Sequence, residues 1–184
     1  MKVIFLDHDG VICLQNNWGS RSRKRKKWTH KNPTNFNYPI EAKFDNFDGK
    51  AIKVLNSILE ESGAEIVVSS DWKLHATLEE MGDYYLSQGI IKRPIAFTPN
   101  MQDFDPFSAG LYQWKNWYSR IRIVEIWRYL DQHQEITHWV AVDDLDMSEE
   151  SNQGHGLSNF VLVPRSNEGI KQIGIREKIL KHLK

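Results

Sequence analysis

The chain has little cysteine and no long apolar run. Cys13 is the one cysteine among 184 residues. A single cysteine can form neither an internal disulfide nor a cysteine-based zinc cage, and it fits a reducing compartment. No apolar run approaches the roughly 20 residues that a membrane-spanning helix needs. The apolar N-terminal stretch reaches Asp7 too soon for a signal peptide. We therefore expect a cytoplasmic protein without a membrane span.

An excess of charge of either sign is also missing. Lys+Arg and Asp+Glu both number 24, so the net charge is zero and global electrostatics indicate no class of partner. Hydrophobic residues make up 40% and charged residues 26%, which is ordinary for a globular protein. The length allows one domain with a substantial core and is too short for two. We expect a single domain over residues 1–184.

Short apolar runs alternate with helical patterns along the chain. Buried strands are predicted at 3–6, 65–69, 139–142 and 160–163, with a further short candidate at 95–98. Helices are predicted at 50–62, at 74–86, from Ser119 as a cap to about 130, and at 167–183. This alternation predicts an α/β fold, a Rossmann-like parallel sheet with helices on both faces.

Two stretches do not fit this alternation. Residues 14–49 lose all hydrophobic periodicity, which predicts an inserted flap or loop rather than a core element. Residues 90–118 are, apart from the short strand candidate, a polar and aromatic-rich connection.

The first of these stretches contains a basic run. Arg21–Lys27 carries six cations in seven positions and is followed by Trp28, His30 and Lys31. Three interpretations stay open: a solvated mobile loop, a targeting signal, or a flap that grips a polyanion. The third is physically reasonable because cations neutralise backbone phosphates and aromatic rings stack on bases.

Three polar clusters each follow a predicted strand: Asp7–Gly10, Ser69–Lys73 and Asp143–Asp144. Ligands of parallel sheets bind at the carboxyl ends of the strands, so we expect these clusters to converge on one edge. Four or more carboxylates there repel one another unless a cation lies among them. Hard oxygen ligands of this kind suit Mg²⁺.

Such a cluster suits phosphoryl transfer. An ionised aspartate can attack phosphorus and form a phospho-aspartyl intermediate, and a second carboxyl two residues on can protonate the leaving oxygen. A serine hydroxyl and a Lys or Arg are the expected donors to the transferring group. Each motif alone is common in turns and caps; their combination in this order indicates a catalytic site.

With these three motifs the sequence resembles the haloacid dehalogenase (HAD) superfamily of phosphohydrolases. The resemblance implies a HAD-like fold, with Asp7 as nucleophile and Asp9 as acid/base and, through its backbone carbonyl, a Mg²⁺ ligand. It also implies that Ser69 binds the phosphoryl group, that Asp143 ligates the metal and that Asp144 assists.

A closer resemblance is to the phosphatase-like domain of Swiss-Army-Knife RNA repair proteins. It is carried by Val68–Lys73, Arg122–Ile126 and Val142–Asp144, and it spans most of the chain outside 14–49 and 99–118. Neither of these two insertions looks long enough for a full cap domain, so we expect a small or minimal cap with a basic flap, and a site open to bulky substrates.

The family's third motif is a Lys or Arg near the start of the helix before Asp143. Arg122 fits best, Arg120 is its neighbour, and Lys73 is a second candidate; a solvated cation is the alternative for each. We also assign Ser70 to substrate binding beside Ser69. His8 lies between the two aspartates and should point away from them, so we interpret it as structural.

The expected function is that of a Mg²⁺-dependent phosphatase acting on phosphorylated nucleic-acid ends, RNA or DNA, or on nucleotides, with Arg21–Lys27 as the gripping segment. Two alternatives stay open. One is a small-molecule nucleotidase or sugar phosphatase. The other is a non-catalytic nucleic-acid-binding module that has kept the same fold.

Overall fold

The computed structural model describes residues 1–35, 37–100 and 117–184. Five strands form one sheet in the order β3-β2-β1-β4-β5, with every neighbouring pair parallel. The strands are β1 Lys2–Leu6, β2 Glu65–Val68, β3 Ala96–Phe97, β4 His138–Asp143 and β5 Phe160–Leu162. The predicted parallel α/β sheet is confirmed. The short candidate strand at 95–98 is also confirmed, as β3.

Six α-helices accompany the sheet in the described part of the chain. They are α1 Ser20–Lys31, α2 Ile40–Lys43, α3 Gly49–Ser62, α4 Leu78–Ser87, α5 Trp117–Gln132 and α6 Ile175–His182. Within this part, no helix is both long and apolar enough to cross a membrane.

Both faces of the sheet are covered, because alternate residues of β1 enter different hydrophobic clusters. Ile4 and Leu6 join a cluster that includes residues of α3, α4 and α6. Val3 and Phe5 join a second cluster that includes residues of α5. Side chains of a strand point alternately to the two faces, so this division requires helices on both sides.

The register of the sheet brings three strand ends to one level. Leu6 pairs with Val68 of β2 and with Val142 of β4. The amide of Asp7 donates to the Val142 carbonyl at 3.1 Å, and the amide of Ser69 donates to the Leu6 carbonyl at 2.9 Å. The convergence that we expected from strand order is therefore present.

The loop prediction for residues 14–49 is wrong where α1 and α2 form. The basic run lies in α1, because Lys and Arg are good helix formers even without an apolar stripe. The stretch also contributes to the core, since Phe44 and Phe47 are buried in the first hydrophobic cluster. The interpretation of the run as a mobile loop is thereby replaced by a helix anchored to its surroundings.

Three helix boundaries differ from the prediction for local reasons. α4 begins at Leu78 because Thr77 and Glu80 form a capping box, and Asp71–His75 forms a separate 3-10 turn. Ser119 lies inside α5 and therefore does not cap it. The C-terminal helix is shorter than predicted. In the predicted connection 90–118, residues 101–116 lie outside the described residues.

Candidate active site

The chain turns sharply after β1, and Gly10 makes the turn possible. Three successive amides, those of Val11, Ile12 and Cys13, donate to the carbonyl of His8. Gly10 has φ +74°, a conformation that side chains disfavour, and a Cβ atom there would overlap the Asp144 carboxylate. The turn thus packs the first acidic motif directly against the residues that follow β4.

Asp7, Asp143 and Asp144 form an acidic cluster at this edge. Each offers a carboxylate oxygen, and these oxygens all lie within 4.8 Å of one another. Asp7 and Asp143 are buried, whereas Asp144 is partly exposed. Three hard oxygen donors at this spacing fit a small divalent cation such as Mg²⁺, which keeps further positions for water and phosphate.

The electrostatics of the cluster are those of crowded, dehydrated carboxylates. Burial raises the pKa of Asp7 to about 6, against the lowering effect of Arg122 and with smaller contributions from Asp144 and Asp9. Burial and the charge of Asp7 raise the pKa of Asp143 well above its usual range. A cation would relieve both effects, which is a second sign that the cluster suits a metal.

Arg122 lies in the middle of this cluster. Its Nη1 is 2.9 Å from Asp7 Oδ1 and 3.0 Å from Asp143 Oδ2, and it also donates to the carbonyl of Ser69. Its Nη2 pairs with Asp71 at 3.2 Å. Because α5 presents Arg122 across the ends of β1, β2 and β4, one guanidinium joins all three predicted motifs.

The other two candidate cations point elsewhere. Arg120 is buried and its Nη2 donates to the carbonyl of Asn152 at 2.9 Å. Lys73 pairs with Glu125 at 2.6 Å and donates to Thr98 Oγ1 at 2.9 Å, with both charged side chains almost fully buried. In the described part of the chain, the contact with Asp7 is made by Arg122.

The two serines after β2 have different surroundings. The hydroxyl of Ser69 is buried and has no hydrogen-bond partner among the described residues. Ser70 is also buried, and its hydroxyl caps the 3-10 turn by accepting from the Trp72 amide at 3.5 Å. Of the two hydroxyls, that of Ser69 is therefore the better placed to bind a ligand, whereas that of Ser70 has a local structural partner.

Asp9 lies outside the three-carboxylate cluster, and much of the residue is exposed although its carboxyl group is partly enclosed by protein. Its Oδ2 accepts from Trp72 Nε1 at 2.8 Å. The Trp72 ring is stacked on Phe44 and Phe47, with centroids 4.6 and 5.5 Å apart, so this donor is held firmly. Partial burial raises the pKa of Asp9, whereas the Trp72 bond and, more weakly, the charge of Arg21 lower it.

His8 points away from the two aspartates, as alternation predicted. It is fully buried, and its Nε2 lies 2.6 Å from the hydroxyl of Tyr85. Burial, with a smaller effect of the Arg122 charge, lowers the pKa of His8 to about 3. The imidazole is thus neutral at physiological pH, and it packs beneath the turn against Phe47, Trp72 and Tyr85.

Sequence reasoning missed several partners of these residues. Asp71 and Trp72 stand inside the motif after β2, and sequence patterns assign them no role, although Arg122 and Asp9 contact them. Glu125 lies three residues beyond Arg122, one turn along α5, and holds Lys73. Asp71 and Trp72 directly follow Ser69 and Ser70 in the sequence, and this position is the signal that indicates a place for them in the site.

The chain was also compared with known proteins. No curated protein and no solved structure matches it. One family model, described as the HAD domain in Swiss Army Knife RNA repair proteins, matches residues 3–172. That range contains all of the sheet except Lys2, together with the acidic cluster and Arg122. The chain therefore belongs to the family of HAD domains in Swiss Army Knife RNA repair proteins, and this membership implies a hydrolase activity of the phosphatase type.

Proposed function

We propose that this protein is a Mg²⁺-dependent phosphatase that hydrolyses phosphoric monoesters with Asp7 as its nucleophile. The observation that carries the proposal is the convergence of Asp7, Asp143 and Asp144 within 4.8 Å, with Arg122 bound to two of them. A structural turn needs no such concentration of buried charge, which is costly unless it serves a function.

The metal would be held by the side chains of Asp7, Asp143 and Asp144, and the resemblance adds the backbone carbonyl of Asp9. When bound, Mg²⁺ supplies charge neutralisation for the phosphoryl oxygens. All other steps are assigned to groups of this chain.

Asp7 and Asp9 divide the covalent chemistry. A carboxylate oxygen of Asp7 forms the bond to phosphorus while the bond to the leaving oxygen breaks, and Asp9 gives that oxygen its proton. Asp9 then takes a proton from the water that hydrolyses the acyl phosphate and frees Asp7. Partial burial raises the pKa of Asp9, which is the direction of shift that suits a carboxyl group acting as an acid.

Arg122 and Ser69 are proposed to hold the transferring phosphoryl group. Arg122 already donates to Asp7, so its positive charge lies beside the proposed nucleophile. The buried Ser69 hydroxyl lacks a partner among the described residues and is available to a phosphoryl oxygen. For Ser70 and Lys73, substrate binding stays a prediction; Lys73 would have to exchange Glu125 for the phosphate.

The proposed substrates are phosphorylated ends of nucleic acids, RNA or DNA. One support is the description of the family, which refers to RNA repair. Another is the position of α1: its N-terminal residue Ser20 bonds Asp45 at 3.1 Å, and the charge of Arg21 is close enough to lower the pKa of Asp9. The cations of Arg21–Lys27 therefore begin next to Asp45, near Asp9, and would attract backbone phosphates.

A phosphatase screen with and without Mg²⁺ tests this proposal. The substrates are a generic aryl phosphate, mononucleotides, and 3′- and 5′-phosphorylated oligonucleotides. We expect Mg²⁺-dependent phosphate release, fastest with one class of oligonucleotide end. Equal turnover without divalent metal contradicts the metal assignment. Binding of oligonucleotides with no hydrolysis of any substrate favours a non-catalytic module.

A further inference from the structure

A groove between α1 and α2 combines positive charge with an aromatic ring. It is lined by Lys24, Lys27, Trp28, Lys31, Pro39 and Glu41 and has a volume of about 260 Å³. We call it the α1–α2 groove. Lys24 donates from its Nζ to Asn46 Oδ1 at 2.9 Å, so its charge is engaged outside the groove. Lys27 and Lys31 against Glu41 leave the groove positive. Pockets for small molecules typically have volumes of roughly 300–1,000 Å³. The α1–α2 groove is smaller, so it suits a single planar ring.

The basic side of the groove is built by helical spacing. Lys24, Trp28 and Lys31 stand at positions i, i+4 and i+7 of α1, so their side chains share one face of the helix. Lys27 and Lys31 are exposed, whereas Trp28 is half-buried. The indole N–H of Trp28 is buried, so the part of the ring that reaches the groove is carbon. That part can stack but cannot donate a hydrogen bond.

The wall opposite α1 is held in place by side chains that do not line the groove. Arg25 Nε donates to the Ala42 carbonyl at 2.9 Å, and its Nη2 donates to the Lys43 carbonyl at 3.2 Å. The Arg25 guanidinium also lies over the ring of Tyr38, 5.1 Å from its centroid. These contacts fix α2 against α1, so the groove is preformed.

The groove is connected to the active site through packed residues. Ser20, the first residue of α1, bonds Asp45, and two residues later Phe47 stacks on Trp72, which in turn bonds Asp9. Along α1, Trp28 lies about 10 Å beyond Arg21, at about 1.5 Å per residue. A single-stranded nucleic acid whose phosphorylated end lies at Asp7 would therefore reach the groove by following α1.

We propose that the α1–α2 groove is a nucleotide-binding subsite that takes an unpaired base of a single-stranded nucleic acid, with the flanking phosphates on Lys27 and Lys31. The base would stack on Trp28 and Pro39, since every base offers a π-face. This inference deepens the proposed function and rests on it for the position of the phosphorylated end at Asp7. It assigns a binding role to Trp28 that the basic run alone does not supply.

Direct binding tests the subsite without depending on catalysis. Fluorescence anisotropy is measured with labelled single-stranded RNA and DNA of one sequence, both ending in hydroxyl groups. Trp28→Ala is expected to weaken binding about tenfold because the base no longer stacks on the indole. The double variant Lys27→Ala/Lys31→Ala is expected to reduce the slope of log K against log salt by about 1.4, since each single-strand phosphate that a lysine neutralises accounts for about 0.7 of that slope.

Matched controls lie on other elements of the fold. Trp127 is an exposed tryptophan of α5, and Lys178 is an exposed lysine of α6. Trp127→Ala and Lys178→Ala should leave binding within about twofold of wild type. Circular dichroism should match wild type in every groove variant, so that a lost affinity reports on the groove and not on unfolding.

Each outcome decides for or against the subsite. Unchanged affinity and salt slope in the groove variants overturn it, as would an acidic peptide that binds the wild type as tightly and loses affinity in the same variants. Equal effects on RNA and DNA support a site that binds base and phosphate, and an effect on RNA alone restricts the ligand to RNA. If wild type binds through the groove but hydrolyses no phosphate ester, the proposed function fails while the subsite stands.

Discussion

Arg122 Nη1 lies 2.9 Å from Asp7 Oδ1, although 115 residues separate the two in sequence. The same nitrogen lies 3.0 Å from Asp143 Oδ2, so one guanidinium contacts two buried carboxylates. Removing one member of a buried charged set is expensive because the remaining charges then have no partner. Arg122 should therefore matter for folding as well as for activity.

Arg122→Met should destabilise the protein by about 3–5 kcal/mol, as for other broken buried ion pairs. Arg122→Lys keeps the charge but not the planar fork, so we expect a smaller loss of stability and still about a 100-fold loss of aryl phosphate turnover. Urea unfolding and kinetics measure the two effects. Arg128→Lys, on the exposed side of α5, is the control and should change stability by less than about 0.5 kcal/mol. Full activity in Arg122→Lys would contradict this role.

Trp72→Phe tests the support of Asp9. Phenylalanine keeps a ring between Phe44 and Phe47 but cannot donate to Asp9 Oδ2. A hydrogen bond to a carboxylate favours its ionised form, so its removal should raise the pKa of Asp9 further. The pH–rate limb that belongs to Asp9 should then move to higher pH, with circular dichroism unchanged. A pH–rate profile identical to that of wild type would show that ionisation of Asp9 does not cause that limb.

Mg²⁺ should stabilise the folded protein through the acidic cluster. At about 100 times its dissociation constant, a metal that binds only the native state contributes about 2.7 kcal/mol, seen as a rise in Tm. Asp144→Asn should abolish this rise. It should also raise the metal-free Tm slightly, because the charge of Asp144 disfavours ionisation of Asp7. Asp131→Asn, an exposed site on α5, should behave like wild type.

The metal effect should depend on pH in a defined direction. The pKa of Asp7 is raised to about 6, so without metal its carboxyl takes up a proton as the pH falls through that value. A protonated carboxyl is a poor ligand, and the Mg²⁺-induced rise in Tm should shrink from about pH 7 to about pH 5. A metal effect that is constant over this range would argue against Asp7 as a ligand.

The sheet and the acidic edge could be predicted from the sequence because both depend on local patterns. β1, β2, β4 and β5 are short apolar runs, and parallel pairing then brings Asp7, Ser69 and Asp143 to one edge. Arg122 could be named from its place in α5. Its simultaneous contact with Asp7 and Asp143 could not, since that depends on how α5 packs across the sheet.

The features that escaped prediction depend on side-chain packing or on helix propensity without a pattern. α1 has almost no apolar stripe, so hydrophobic periodicity predicts a loop there. The bonds from Trp72 to Asp9 and from His8 to Tyr85 join residues 63 and 77 positions apart. Lys73 had the right sequence position for a phosphate ligand, but Glu125 holds it.

Hydrolysis of an aryl phosphate by Asp7→Asn, compared with wild type in saturating Mg²⁺, tests the central claim most directly. Asparagine has the shape of aspartate and can still accept a hydrogen bond from Arg122, so circular dichroism and the oligonucleotide affinity should be preserved. The amide is not a competent nucleophile, and turnover should fall to the background of the uncatalysed reaction. Turnover equal to that of wild type in a folded Asp7→Asn protein would contradict the assignment of Asp7 as the nucleophile.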